Sequence, residues 1–304
     1  MKNKIIQTVI IGAIFIYILY GFDIDKIDMS IISWVGVFLA SFVLFLGQLA
    51  LSWRWKKMSK TSFKISYETI TVSTALNMIL PAKLGELSKA LYMKNFYKYS
   101  FHKGLSLVFV ERFFDIIVLF LLMSFWAYLY FSSPAIKNGI VSLSIFIVLT
   151  IFFFKSKKIL LLLKKIPFRF LRIYSQKIYK QVNSILKEPF SIFNITILTW
   201  VIYFLALYAF FTYAVDFHLE FQNVLELFLF STIAFAVPLT PAGVGTFEAV
   251  VILFLQTHGV GKEDAFVAST VYHLLMFFVY LALLLLLMYT KNIKVQDIIN
   301  IKKK

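Results

Sequence analysis

Charged side chains interrupt an otherwise apolar sequence in three places, and the first is the stretch "NMILPAKLGELSK". Lys83, Glu86 and Lys89 follow one another at a spacing of three, so on a helix they share one side. Lysine binds phosphate, and a carboxylate either neutralises a lysine or exchanges a proton. These residue types suit an anionic headgroup. The candidate site residues of this stretch are Asn77, Pro81, Lys83, Gly85, Glu86 and Lys89.

The second interruption is "FVERFFDIIVLF", which places Glu111, Arg112 and Asp115 about one helical turn apart, so that Arg112 can reach Asp115. Two interpretations stay open for the charges of both stretches. They can be structural ion pairs that hold helices together, with Lys89 extended toward the membrane surface. Alternatively, they line a hydrated cavity, because ionised groups at membrane depth are costly and usually functional. His273, isolated further along, is interpreted as a hydrogen-bonded packing residue, with a proton relay as the alternative.

The third interruption, "TPAGVGTFE", repeats the proline, alanine and glycine skeleton of the first. Proline is tolerated in the first turn of a helix, so Pro81 and Pro241 predict the starts of two helical arms, the second with Thr240 as its N-cap. The free N–H groups of such a start favour an anion, and glycines let a ligand approach the backbone. The candidate site residues here are Thr240, Pro241, Gly243, Gly245 and Glu248.

The elements that hold these residues must lie in a membrane, because the composition excludes an ordinary soluble domain. Of the 304 residues, 61% are hydrophobic and 18% are aromatic, and the mean hydropathy is +0.84. The chain has no cysteine, which removes disulfides, thiol catalysis and cysteine-ligated metals. We predict no catalytic residue, no metal and no cofactor. Nucleic acid is not an expected partner, since the cations that give the net charge of +16 cluster between apolar stretches.

Apolar stretches of about twenty residues, the length that a hydrocarbon core of about 30 Å requires, recur along the chain. The first follows Met1–Lys4 without a signal cleavage pattern, so we expect it to be retained. The predicted fold class is an all-α integral membrane protein, a single membrane domain over 1–304 with about six full transmembrane helices. The predicted spans are Ile5–Gly21, Ile31–Leu51, Gly104–Phe131, Asn138–Phe154, Pro189–Val215 and Ala265–Thr290.

The Lys and Arg residues between spans indicate which side of the membrane each loop faces. Cations after the second span, Arg54 among them, and those after the last span predict a cytoplasmic location, whereas the opposite loops are acidic or nearly uncharged. Both termini are therefore expected in the cytoplasm, at the plasma (inner) membrane. Residues 155–187 carry ten Lys or Arg and no acid. This is typical of an amphipathic segment on an anionic lipid leaflet, or of an ordinary cytoplasmic loop.

Two further segments, 66–98 and 221–258, each consist of two short apolar arms joined by a Pro/Gly break. The surrounding charges require each segment to return to the side on which it starts, so each is predicted to be a re-entrant helical hairpin. The first enters from the cytoplasm and the second from outside. Residues 31–131 and 189–290 are then two inverted-topology repeats, unless the shared skeleton is coincidental and both segments are plain helical pairs.

The three interruptions together resemble the pattern of a known family. The order Asn, Pro, Lys, Gly, Glu, Lys in the first stretch, the E-R-x-x-D of the second and "VPLTPAGVGTFEA" at 237–249 are similar to the lysylphosphatidylglycerol synthase transmembrane region, or flippase-like domain, over nearly the whole chain. The resemblance implies movement of a phospholipid or lipid-linked molecule between leaflets. Some members carry a transferase domain, which is not expected here because the sequence ends at "NIKKK". Arginine is usual where this chain has Lys83 and Lys89, so charge is kept but bidentate phosphate binding is not.

The favoured hypothesis is a flippase or transporter for an anionic or aminoacylated phospholipid, or a polyprenyl-phosphate-linked lipid. The phosphate would lie at the two proline-started helix ends, with Lys83 and Arg112 as counter-charges. Glu86, Glu111 and Glu248 would bind a cationic headgroup or change protonation. The expected partners are this lipid, the anionic leaflet and a separate transferase. Two alternatives are an intramembrane enzyme acting on a lipid carrier, with Glu86 or Glu248 as general base, and a protein that presents lipid to a separate synthase.

Overall fold

A computed structural model describes residues 23–80, 83–130, 133, 134, 137–143, 145, 164–185, 187–236, 240–294, 297 and 298. These residues form helices and contain no β-strand beyond an isolated bridge between Ile32 and Val215. The prediction of an all-α membrane protein is confirmed. In chain order the helices are α1 (Trp34–Ser59), α2 (Phe63–Asn77), α3 (Gly85–Tyr97), α4 (Phe101–Tyr130), α5 (Arg169–Ile185), α6 (Pro189–Tyr213), α7 (Phe221–Ala236), α8 (Thr246–Thr257) and α9 (Lys262–Lys291).

Within the described ranges, three helices are long and apolar enough to cross a membrane: α1 with 26 residues, α6 with 25 and α9 with 30. Large apolar side chains on them are exposed, as Phe38 of α1 and Leu286 of α9 are, which suits contact with lipid. Helix α4 is as long as α9, with 30 residues, and carries Glu111, Arg112 and Asp115 near its middle. The predicted span Ile5–Gly21 and most of Asn138–Phe154 lie outside the described residues.

Helix α1 continues beyond the predicted span Ile31–Leu51 and ends at Ser59. Arg54 is therefore a helix residue, and its side chain is only 1% exposed. The expectation that Arg54 is a cytoplasmic loop cation was wrong. A buried arginine held by carboxylates lowers local hydropathy as much as a solvated one does, so hydropathy placed the end of the apolar element too early.

The described residues fall into two compact units. The first contains those within Met1–Leu49, Ile70–Ser88 and Val201–Val295. In it α8 packs on both α7 and α9, and aromatic rings join α6 to its neighbours. Phe204 lies edge-on to Phe221 of α7, and Phe210 lies edge-on to Tyr272 of α9. Such pairs contribute about 0.5–1.5 kcal/mol beyond burial, and they help to fix α7 and α9, the two helices that pack on α8.

The second unit contains the described residues within Ala50–Thr69, Lys89–Trp200 and Gln296–Lys304. Here α2 and α3 are joined by Glu68, which is 2% exposed. Its Oε2 accepts hydrogen bonds from the hydroxyl groups of Tyr92, at 3.1 Å, and of Tyr97. The Nε1 of Trp55 in α1 donates to the Sδ of Met93 in α3 at 3.3 Å. These contacts hold three helix ends together around buried polar groups.

Helix α5 is the described helical part of the basic segment 155–187, and it is amphipathic. Tyr179 and Val182, three residues apart, are buried, whereas Lys180 between them is exposed. The helix packs against α4. An amphipathic helix is thus present within the described part of the segment, and its contact with an anionic leaflet stays a prediction.

Each Pro/Gly break separates a pair of short helices. Helices α2 and α3 have 15 and 13 residues, and α7 and α8 have 16 and 12. At 1.5 Å per residue they span about 18–24 Å, less than a hydrocarbon core of about 30 Å. These lengths are those expected of re-entrant arms. The inverted-topology repeat of 31–131 and 189–290 stays a prediction.

At the second break the helical arm starts later than its proline. Pro241–Gly243 forms a single 3₁₀ turn, and α8 begins only at Thr246. The prediction that the proline starts the arm, with Thr240 as its N-cap, was wrong. Three residues here have positive φ angles, which a right-handed helix does not contain: Ala242 at 55°, Gly243 at 84° and Gly245 at 82°.

Candidate functional site

Five charged side chains meet inside the second unit. Three helices contribute them, since the charges come from the end of α1, from α3 and from the middle of α4. Three of the five are almost fully buried: Glu111 is 0% exposed, Arg54 is 1% and Lys89 is 3%. The group is called the charge cluster below, and its members are Arg54, Lys89, Glu111, Arg112 and Asp115.

Arg54 connects the two carboxylates of α4. Its Nη1 lies 2.5 Å from Oδ1 of Asp115, and its Nη2 lies 2.6 Å from Oε1 of Glu111. The two acids are about one helical turn apart, so a guanidinium group, with its planar fork of N–H donors, contacts both at once. The Nε of Arg54 is buried and has no hydrogen-bond partner among the described residues. The arginine is therefore held through its outer nitrogens.

Lys89 binds the other side of Glu111. Its Nζ donates to Oε2, while Arg54 contacts Oε1. The same Nζ lies 5.3 Å from the centre of the Trp55 ring, a position in which the ring quadrupole attracts a cation. Lys89 is thus buried against an acid and a ring, and it does not extend toward the membrane surface as one interpretation of the sequence had it.

Arg112 is the exposed member of the charge cluster, with 40% of its side chain exposed. Its Nη2 lies 2.9 Å from Oδ2 of Asp115, as the spacing of the two residues predicts, and 3.8 Å from Oε2 of Glu111. Oδ1 of Asp115 also accepts the indole N–H of Trp200 at 3.1 Å. Asp115 therefore holds two arginines and a tryptophan, and Arg112 is the most exposed cation of the cluster.

At the first break, in the first unit, Nδ2 of Asn77 donates to Oε1 of Glu86 at 3.1 Å. Helix α3 begins beside them at Gly85, where an added Cβ would lie 2.4 Å from Oδ1 and 2.5 Å from the backbone N of Asn77. Only glycine lets the start of α3 approach the end of α2 so closely. Lys83 has a φ angle of 54°, and Pro81 lies outside the described residues.

At the second break, also in the first unit, Glu248 uses both carboxylate oxygens. Oε2 accepts the backbone N–H of Gly245 at 2.6 Å, and Oε1 lies 2.6 Å from Nδ1 of His273 on α9. A carboxylate in the first turn also satisfies the positive end of the helix dipole. The hydroxyl of Thr246 donates to the carbonyl of Gly243 at 2.8 Å, so the turn is fixed by hydrogen bonds on both sides of Gly245.

His273 is surrounded by rings apart from its acidic partner. The centroids of Phe235 and Phe247 lie 5.5 Å and 5.3 Å from that of the imidazole, and both pairs meet edge to face. His273 is thus hydrogen-bonded and packed among rings, and its role stays a prediction. Its partner was not predicted, although a lone histidine in one span and an acid in the preceding helix are a signal for such a pair.

The structure brings together the predicted candidates Lys89, Glu111, Arg112 and Asp115, and it adds Arg54. Two carboxylates on α4 beside a single arginine were a sign that another helix supplies a further cation, whereas nothing in the sequence points to Trp200. The remaining candidates lie in the first unit in three described groups, and the predicted meeting of the two prolines falls on residue 81, outside the described chain. The groups are Asn77 with Gly85 and Glu86, Lys83 beside the first break, and Thr240 to Gly245 with Glu248 at the second.

Comparisons with known proteins agree with the membrane character of these helices. The family described as lysylphosphatidylglycerol synthase TM region matches residues 4–283, which include all three interruptions. A UPF0104 membrane protein of Methanocaldococcus jannaschii is 28% identical over 210 residues, covering 67% of this chain and 88% of the relative. No solved structure matches the chain.

Proposed function

Because the chain belongs to the lysylphosphatidylglycerol synthase TM region family, we propose that it moves a phosphate-bearing lipid between the leaflets of its membrane without a covalent reaction. The substrate class comprises anionic phospholipids, their aminoacylated forms and polyprenyl-phosphate-linked lipids. These molecules share a phosphate that must leave water during the crossing, whereas their hydrocarbon chains can remain in the bilayer. The protein therefore has to supply a polar environment for the phosphate alone.

The observation that supports this proposal is the charge balance of the cluster. Its three cations face two carboxylates, so the five residues carry an excess of one positive charge. A charge in a low-dielectric interior is stable only when it is paired. A phosphodiester supplies one negative charge and accepts the N–H groups of an arginine in bidentate fashion. An anionic lipid headgroup has a charge and a geometry that suit the exposed guanidinium group of Arg112.

Arg112 gives the phosphate its first contact, because it is the most exposed of the cluster's cations. Its present partner, Asp115, keeps Arg54 and Trp200 when Arg112 turns to a ligand. An exchange of one anion for another at Arg112 leaves no carboxylate unpaired, so a phosphate can enter and leave without a large barrier. The buried pairs of Arg54 and Lys89 with Glu111 stay in place and keep the cluster positive.

The location and the orientation that we propose for the protein follow from the charges of its loops. The protein lies in the plasma (inner) membrane with both termini in the cytoplasm, and the segment 155–187 binds the anionic inner leaflet. Its helix α5 packs on α4, the helix that carries Glu111, Arg112 and Asp115. A separate transferase that makes the lipid is the protein partner we expect. Such an enzyme would supply aminoacylated lipid on the same side as α5.

The test is lipid movement by the purified chain in liposomes, followed with fluorescent phosphatidylglycerol, phosphatidylcholine and a polyprenyl phosphate in separate experiments. We expect the chain to speed the crossing of one of the two anionic probes, and the arm that responds identifies the source of the phosphate. Arg112→Ala should slow this crossing about tenfold or more, since a hydrogen bond to a charged group contributes about 1.5–3 kcal/mol. Arg112→Lys should keep part of the rate because it keeps the charge.

The matched control is Lys103→Ala, which removes one exposed cation from the same helix outside the cluster and should leave the rate unchanged. An equal rate for wild type and Arg112→Ala, with both proteins folded, contradicts the assignment of Arg112. Release of a chemically altered lipid from a lipid-linked donor would favour the intramembrane enzyme. Stable co-purification with a transferase, without lipid movement by the chain alone, would favour the lipid-presenting partner.

A further inference from the structure

Glu248 and His273 form a second polar group, which shares no residue with the charge cluster. The proposed binding of phosphate gives this pair no role. Glu248 is buried, and each of its oxygens holds a different element. Oε1 binds His273 of α9, and Oε2 binds the backbone of the turn 240–245 at Gly245. A single carboxylate therefore ties a long membrane helix to a turn that contains three positive φ angles.

The hydrogen bond fixes which imidazole nitrogen is free to react. A carboxylate oxygen only accepts hydrogen bonds, so Nδ1 of His273 carries the hydrogen that points at Oε1 of Glu248. In the neutral ring the lone pair is then on Nε2. A proton from water adds to Nε2, which gives an imidazolium ion, and it leaves from the same atom. Histidine is the side chain whose charge ordinarily changes in this way near neutral pH.

Few charged groups accompany the pair. Helix α6 has no charged residue, and α8 has Glu248 alone. On α7 the acid is Glu226, which interacts with His258 at the opposite end of α8 from Glu248. From α7 and α8, His273 is faced by the rings of Phe235 and Phe247.

Helix α9 itself carries its charges in its first turn and at its last residue: Lys262, Glu263, Asp264 and Lys291. The other titratable groups of α6 and of the interior of α9 are phenols, which are ordinarily neutral: Tyr203, Tyr208, Tyr213, Tyr272, Tyr280 and Tyr289. Among the described residues, His273 is thus the side chain within ion-pair distance of Glu248 that can become a cation.

Because His273 is the described side chain that can give Glu248 a positive partner, a proton on His273 affects how stably the turn 240–245 packs against α9. With a proton on Nε2, the imidazolium and the carboxylate neutralise each other. Without it, Glu248 is a buried anion that keeps its hydrogen bonds from Gly245 and from the Nδ1–H of His273 but lacks a cationic partner, and burial of an anion without such a partner has a cost. Separation of the turn from α9 would let water reach both groups, and the carboxylate would then no longer depend on an imidazolium partner. Proton binding and the position of the turn depend on each other.

We propose that Glu248 and His273 carry one proton per transport cycle and couple lipid movement to a proton gradient. The proposal rests on the proposed lipid transport and adds its energy source. Proton binding from one side closes the turn 240–245 on α9 through Glu248 and Gly245, and opening toward the other side returns the proton to water. For a lipid with one negative charge, movement together with one proton is electrically neutral.

The test uses the full chain in liposomes with an imposed gradient of one pH unit and the membrane potential held at zero with K⁺ and valinomycin. One proton per lipid predicts a leaflet ratio of the anionic probe of up to about tenfold at steady state, because one pH unit is worth about 1.36 kcal/mol per proton. His273→Asn should bring this ratio to about one while lipid still equilibrates. Its amide N–H replaces Nδ1–H toward Glu248 but cannot bind a proton.

The control is His258→Asn, which changes an exposed histidine of the same unit at the other end of α8 and should keep the wild-type ratio. A pH dye inside the liposomes gives the reciprocal measurement: a lipid gradient should move protons in the wild type and not in His273→Asn. Lipid movement that ignores the gradient, or a wild-type response in His273→Asn, overturns the coupling alone. A wild type that moves no lipid under any condition overturns the proposed transport, and the coupling with it.

Discussion

At the scale of single residues, the charge cluster is a set of ions that stabilise one another only as a set. Glu111 is bound by Arg54 on one oxygen and by Lys89 on the other, and Asp115 is bound by Arg54 and Arg112. Buried ion pairs contribute little to stability against an apolar alternative, whereas removal of one partner leaves a charge without compensation. Arg54 is the buried cation that lies within 2.6 Å of both acids, so the cluster should be most sensitive to it.

We expect Arg54→Met to lower the free energy of unfolding by about 3 kcal/mol, in the range found when one partner of a buried ion pair is removed. Equilibrium unfolding in mixed detergent micelles, followed by circular dichroism, measures this change. Lys56→Met, an exposed change on the same helix, should stay within about 0.5 kcal/mol of wild type. Equal stability of Arg54→Met and wild type would contradict the role of Arg54.

The sequence was sufficient to predict most of the charged candidates, because an ion in an apolar stretch stands out by type alone. It was not sufficient to pair them. Arg112 with Asp115 follows from helical spacing, but Lys89 with Glu111 joins residues of α3 and α4, and Glu248 with His273 joins α8 and α9. Such pairs depend on which helix faces meet. That information lies in the packing of many apolar side chains and not in local spacing.

At the scale of elements, the short helices of the two breaks are kept in place by close backbone contacts and by polar side chains. Hydropathy predicted that these helices exist and roughly how long they are. It did not predict where α8 begins, because turn geometry decides this, and an alanine with a φ angle of 55° is not visible in composition. The first break depends in the same way on one position, Gly85, where α3 begins against Asn77.

Gly85→Ala should lower the free energy of unfolding by about 1–3 kcal/mol, the usual effect of inserting a methyl group into a packed site. The new Cβ would lie 2.5 Å from the backbone N of Asn77 and 2.6 Å from the backbone O of Ser73, and backbone atoms cannot rotate away. Unfolding in detergent micelles measures the change. The control is Gly139→Ala, since no atom lies within 4 Å of its added Cβ, and helix propensity should make it neutral or stabilising. Equal effects of the two variants would contradict the close approach.

At the scale of the whole molecule, the family and the apolar helices make this a membrane-embedded multi-pass protein. The order of crossings is a prediction from loop charges, and it has one distinctive feature. Both hairpins return to the side on which they begin, so residues before and after each hairpin should lie on the same face of the membrane. A pair of helices that cross the membrane completely would also return to the side on which it begins. The depth of the tip distinguishes the two arrangements, because only the tip of a re-entrant hairpin stays inside the membrane.

The chain has no cysteine, so single cysteines introduced at exposed positions report this topology without interference. Lys57→Cys and Ser100→Cys should react with a membrane-impermeant maleimide only after the cell is opened, and Glu220→Cys and His258→Cys should react in intact cells. The four positions flank the two hairpins and are exposed. Labelling of Ser100→Cys from outside would contradict the first hairpin, and labelling of His258→Cys only from inside would contradict the second.

The tip of the second hairpin gives the depth measurement. Val244 is exposed in the turn, and in a plain pair of crossings a turn at this position would lie in the cytoplasm. We expect Val244→Cys to stay unlabelled from the cytoplasmic side in inside-out vesicles, while Lys57→Cys in the same preparation is labelled. Rapid labelling of both would contradict the re-entrant arrangement.

Two tryptophans make direct contact with the charge cluster: Lys89 lies over the ring of Trp55, and Trp200 donates its indole N–H to Asp115. Indole emission shifts with the electric field of nearby charges. A phosphate that binds the cluster would change the field at these two rings. Under the proposed phosphate binding, the two indoles would report occupancy of the cluster without any attached dye. With the other three tryptophans replaced by phenylalanine, a titration read at a fluorimeter would follow headgroup arrival in real time.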